Sequence, residues 1–69
     1  MRVNTELLDK KIEESGLKVS FIIEKLGLSH NGFYKKKNGK TPFRASEVYV
    51  LCDLLKIYDE EEKRLIFMP

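Results

Sequence analysis

The chain has 69 residues and a mass of 8.1 kDa, with 42% apolar and 35% charged side chains. That is enough for one small globular domain, in which most of the chain must be ordered to bury a core. One cysteine and one histidine exclude an intramolecular disulfide framework and a closed zinc site. No apolar run approaches the roughly 18 residues that span a bilayer. The first 20 residues carry charge throughout and show no signal-peptide pattern, so the expected location is the cytoplasm, away from membranes.

The net charge of +2 hides an uneven distribution. Residues 1–24 sum to −1 and residues 45–69 to −3. Between them, residues 25–44 hold Lys25, Lys35, Lys36, Lys37, Lys40 and Arg44 with no acid, a local charge of +6. A cationic segment between acidic flanks is a local field suited to phosphates. The plain alternative is a solvated lysine face.

Asn4 to Ser15 reads as an amphipathic helix, with Leu7, Leu8 and Ile12 at helical spacing and charges on the opposite face. Asn4 suits the N-cap, Val3 and Leu8 take hydrophobic-staple positions, and Gly16 closes the segment. A second helix is expected over about Lys18–Leu26, from Val19, Ile22, Ile23 and Leu26, with Gly27 as its stop. Ser29 then caps a short helix from His30 to about Lys37, ended by Asn38-Gly39. Lys40–Arg44 forms a loop around Pro42. A fourth helix spans about Ala45–Lys56, with Val48, Leu51, Cys52 and Leu55 on one face and Glu47 in the first turn, where it suits the helix dipole. A last short helix begins after Asp59, with Asp59 and Glu62 at capping-box spacing and an apolar tail, Leu65–Met68. No segment alternates with period two long enough to be a strand. The fold class is therefore all-α, one domain of five helices over 1–69.

Residues 17–40, LKVSFIIEKLGLSHNGFYKKKNGK, place a helix, a glycine turn and a second short helix between Val19 and Asn38. Such a turn lets two helices cross steeply, so that the first braces the second while the second projects outward. Ile22, Ile23, Leu26, Leu28 and Phe33 are the bracing residues. An eight-residue helix is roughly 12 Å long, about the width of the B-DNA major groove. Leu17, Glu24-Lys25-Leu26-Gly27, Ser29 and Asn38-Gly39-Lys40 resemble the helix-turn-helix of the lambda-repressor-like family, the Cro/CI and XRE group of DNA-binding domains. Phe33-Tyr34-Lys35-Lys36, Gly39-Lys40-Thr41-Pro42-Phe43 and Leu65-Ile66-Phe67 resemble a subgroup of short phage-encoded regulators. The chain departs from the family pattern at three positions. Val19 stands where glutamine is frequent, and Ile23 replaces a small residue, implying wider spacing of the two helices. Lys36 replaces an apolar residue, and its stem is expected to lie on the core while its ammonium reaches water.

The resemblance implies a role for each residue. His30 and Asn31, in the first turn of the third helix, face base edges, and Asn31 suits adenine N6 and N7. Lys35, one turn on, reaches a guanine edge or a phosphate. Tyr34, half exposed, touches a thymine methyl or a phosphate, or packs beside Phe43. Ser29, Asn38, Lys40 and Arg44 anchor phosphates, as do Lys18 and Ser20 on the opposite flank. For each of these the bland alternative is a polar surface residue. Lys36 and Lys37 add long-range attraction. Gly32 inside a helix costs about 1 kcal/mol against alanine, and close approach of backbone to DNA is one reason to keep it. Cys52 reads as a buried thiol acting as a small hydrophobe.

The expected function is sequence-specific binding of double-stranded DNA by a transcriptional regulator, a Cro-type phage repressor acting by operator occupancy. An activator, an antitoxin-type regulator or a protein-interaction module on the same fold is the alternative. No paired carboxylates, metal set or phosphate-cradling loop suggests an enzyme, and no cofactor is implied. Phe21, Tyr49, Val50, Leu54, Tyr58, Ile66, Phe67 and Met68 exceed what one small core needs. Those in the C-terminal helices form either a homodimer surface or the covering of helices 1 and 4.

Overall fold

The structure is a computed structural model and describes residues 3–68. Five helices follow one another with short connections: α1 (Thr5–Ser15), α2 (Val19–Leu26), α3 (His30–Lys37), α4 (Ala45–Leu55) and α5 (Glu60–Phe67). No strand occurs among the described residues, and none of their helices is long and apolar enough to cross a membrane.

The local signals act as their chemistry requires. Asn4 caps α1, its side chain accepting from the Leu7 N–H at 3.2 Å. Gly16, at φ 73°, ends that helix. α4 begins differently: the Glu47 carboxylate reaches back to accept the Arg44 N–H at 2.8 Å, one half of a capping box. α4 ends at Leu55, one residue before the expected limit. Lys56 there turns left-handed (φ 57°), and its N–H and that of Ile57 close on Asp53 O and Cys52 O. The capping box expected at α5 does not form. Asp59 accepts from the Glu61 N–H at 3.2 Å, while Glu62 turns away to Lys11 Nζ on α1, at 2.9 Å.

Each helix contributes to one core: Leu8 and Ile12 from α1, Ile22 and Ile23 from α2, Phe33 from α3, Leu51, Cys52 and Leu55 from α4, Ile66 from α5, and Ile57 from the connection. Each fully buried side chain of this size is worth about 1.5–3 kcal/mol against exposure. Burial pushes the Cys52 thiol above its ordinary pKa, as a structural cysteine requires. Phe33, Phe43 and Phe67 meet edge to face in a row, centroids 6.4 and 6.1 Å apart, joining α3, the loop after it and α5. Two backbone-level ties close the fold. The Asn4 N–H donates to Ile66 O at 2.6 Å, and Thr5 Oγ1 donates to Lys37 O at 2.7 Å.

Of the surplus apolar residues, Ile66 is buried, and Leu54 and Phe67 pack partly against the core. Val50 is half-buried, and Phe21, Tyr49, Tyr58 and Met68 stay exposed, Tyr49 at 78% and Tyr58 at 66%.

Candidate nucleic-acid interface

α2 and α3 are joined through Gly27, Leu28 and Ser29. Gly27 sits at φ 70°, and the N–H groups of Gly27 and Leu28 close on Glu24 O and Ile23 O. A Cβ at Gly27 would meet nothing within 4 Å, so its backbone angle and not crowding calls for glycine. The next two residues return the chain to α3, where Ser29 Oγ accepts the Gly32 N–H at 3.0 Å. A Cβ on Gly32 would lie 3.1 Å from that same Oγ. The glycine thus leaves room for the cap.

Phe33, at 0% exposure, fixes which way α3 faces. At about 100° per residue, Asn31, Lys35 and Asn38 then lie nearly opposite it, with Tyr34 and His30 to one side. All five are exposed. Tyr34 packs its edge against Phe33, centroids 5.5 Å apart, and not against Phe43. Ser29, the cap of α3, is exposed too.

The same rotation brings Lys36 and Lys37 back to either side of the buried Phe33, and there the structure corrects the sequence reading. Lys36 does not release its ammonium to water. Its Nζ lies 2.6 Å from Glu47 Oε1, with both side chains largely buried. Lys37 pairs with Asp9 of α1 at 2.7 Å, and its ammonium sits 5.2 Å from the centre of the Tyr34 ring. Both lysines therefore hold helices together, and their charges are locally neutralised. Lys18, Lys25, Lys35, Lys40 and Arg44 are exposed and take part in no ion pair among the described residues. Lys25 lies over the Phe21 ring, 5.4 Å from its centre.

The C-terminal end of α3 is closed tightly. Gly39, at φ 83°, lets its own N–H reach Lys36 O at 3.1 Å and the Lys40 N–H reach Lys35 O at 2.8 Å. Asn38 and Lys40 are thereby fixed directly beyond the exposed stripe. Arg44 is held through its backbone by Glu47. Lys18 and Ser20 stand exposed at the start of α2, where their side chains make no hydrogen bond among the described residues. The structure thus gathers His30, Asn31, Tyr34, Lys35, Asn38, Lys40 and Arg44 along one helix and its following loop, and leaves Lys18 and Ser20 on a separate element.

Glu47 is the residue whose part the sequence did not show. It is the buried charged residue among those described, 8% exposed, and one carboxylate oxygen serves both Lys36 and the Arg44 amide. Burial pushes its carboxyl up. The Lys36 and Arg44 hydrogen bonds and the two positive charges outweigh that and hold it below the ordinary value. An available signal was Lys36 on the inward side of α3, which required an acid nearby. No group of three or more His, Cys, Asp or Glu among the described residues is placed to hold a metal ion. No family model, curated protein or solved structure matches the chain.

Proposed function

We propose that this chain is a sequence-specific, double-stranded-DNA-binding transcriptional regulator of the lambda-repressor-like kind. α2 and α3 form its helix-turn-helix, and its most economical role is that of a Cro-type repressor occupying an operator. The observation that carries the proposal is the orientation of α3: Phe33 buried, with His30, Asn31, Tyr34 and Lys35 turned outward together. The major groove of B-DNA is wide enough to admit an α-helix with its side chains. Asn31 and Lys35 lie on the side opposite the core, where base edges would be met. Ser29, Asn38, Lys40 and Arg44 flank them as phosphate anchors, and Lys18 and Ser20 take the far strand.

With Lys36 and Lys37 neutralised within the fold, Lys18, Lys40 and Arg44 are the cationic phosphate anchors of this reading. Three phosphate contacts correspond to a slope of about −2.7 in log K against log salt. A single copy would bind weakly, so two copies on half-sites roughly 34 Å apart are part of the proposal. The outward Tyr49 and Tyr58, which line one groove with Val48 and Ile57, support a homodimer surface there.

Selection of bound sites from random duplex DNA tests the reading. Enriched palindromes with that spacing are the expected result, and no binding to any duplex at low salt rejects it. Asn31→Ala should relax base preference at one position, whereas Lys40→Ala should weaken all sequences alike.

A further inference from the structure

We infer that Lys36 and Glu47 form a positioning pair that fixes the loop between α3 and α4, and with it Lys40 and Arg44, in register with the outward face of α3. The inference rests on the DNA-binding reading above. Lys36 belongs to the last turn of α3 and Glu47 to the first turn of α4, eleven residues apart. Between them runs the loop that bears Asn38, Lys40 and Arg44. The loop's near end is tied to α3 through Lys35 O and Lys36 O. Its far end is tied to Glu47 through the Arg44 N–H at 2.8 Å, on the same oxygen that takes the Lys36 ammonium at 2.6 Å.

One carboxylate oxygen is therefore the point where helix, loop and next helix are clamped together. Phe43, packed on Phe33 and Phe67, fills the space beside the clamp but supplies no direction. A direct phosphate ligand would need a free ammonium. Lys36 has spent its charge on Glu47, and its side chain is only 14% exposed. It therefore acts through the placement of Lys40 and Arg44.

The test compares Lys36→Met, Lys36→Arg and Glu47→Gln in the full chain. Amide hydrogen exchange comes first, because it needs no DNA. Lys36→Met should speed exchange at Lys40 and Arg44 about tenfold more than at the core amides of Ile22 and Leu51, and Lys36→Arg should restore protection. Equal changes at loop and core would overturn the inference.

On a selected duplex against a scrambled one, Lys36→Met should lower the affinity ratio about tenfold and leave the salt slope unchanged. A slope shallower by about 0.9 at an unchanged ratio would make Lys36 a phosphate ligand and overturn the inference. If Lys36→Met does not fold, Glu47→Gln decides. It keeps an acceptor for the Arg44 amide while dropping the charge, and an unchanged affinity ratio there would equally refute the pair's role. Should the wild-type chain select no duplex at all, the DNA-binding reading fails by itself, and the exchange experiment still decides whether the pair holds the loop.

Discussion

Ser29 and Gly32 are predicted to be energetically coupled. Ser29→Ala removes the side-chain acceptor of the Gly32 N–H, now at 3.0 Å. Loss of such a cap costs about 1 kcal/mol. Gly32→Ala should contribute about 1 kcal/mol of helix propensity. Its new Cβ, however, would stand 3.1 Å from Ser29 Oγ, so the hydroxyl must shift and the cap weakens. In the wild-type background the two effects nearly cancel, and Gly32→Ala alone should change stability little. In the Ser29→Ala background nothing opposes the propensity gain, and the same substitution should recover about 1 kcal/mol. The coupling is then about 1 kcal/mol, against the few tenths expected of independent sites. Urea denaturation of the four proteins measures it. In thermal melts each kcal/mol appears as roughly 4–8 °C for a domain of this size. If Gly32→Ala stabilises both backgrounds equally, the contest between Cβ and cap does not exist and the explanation of this glycine is wrong.

Three further outcomes follow from the core, the α4 terminus and the buried carboxylate. Phe33→Ala should cost about 3–5 kcal/mol. For 69 residues the whole stability is on the order of 3–10 kcal/mol, so urea denaturation should show a large fraction of it gone, and a loss below about 1 kcal/mol would contradict this account of α3. Lys56→Gly should raise the unfolding free energy measured in urea by about 0.5–1 kcal/mol, because glycine relieves the left-handed strain at φ 57° at some cost in unfolded-state entropy. Because the Glu47 carboxyl is held below its ordinary value, the stability it contributes is present above the unfolded-state pKa, about 4.3, and is lost as pH falls through the lower folded value. Glu47→Gln should flatten that acid limb of stability against pH, and an unaltered limb would remove Glu47 from the account.

The helical layout was legible because its signals are local. Asn4, Ser29, Gly16, Gly27 and Asn38-Gly39 act within a few residues of themselves, and α1 and α3 begin and end, and α2 ends, where those residues direct, whereas α2 begins at Val19 with no side-chain cap. The limit of α4 was misplaced by one residue because Lys56 adopts an angle usually left to glycine, held by the burial of Ile57 just after it. Charge was legible in amount and not in availability. Lys37 is neutralised by an acid twenty-eight residues away, and Glu62 is drawn from its expected cap by a lysine fifty-one residues away. Such partners depend on how helices pack. The sequence reading kept the ammonium groups of Lys36 and Lys37 in water, because the acids that meet them, Glu47 and Asp9, are set by the tertiary fold.

The first turn of α1 has an order-of-assembly consequence. Asn4 and Thr5 donate to acceptors sixty-two and thirty-two positions downstream, in α5 and at the end of α3. Bonds that close such long spans come late, since the chain entropy lost in closing them is recovered only when both ends are built. On the ribosome, a nascent chain that stops before Ile66 lacks both the last piece of the core and the acceptor for Asn4. Its earlier helices would stay loosely joined until α5 clears the exit tunnel. Incomplete synthesis would then yield material open to proteolysis.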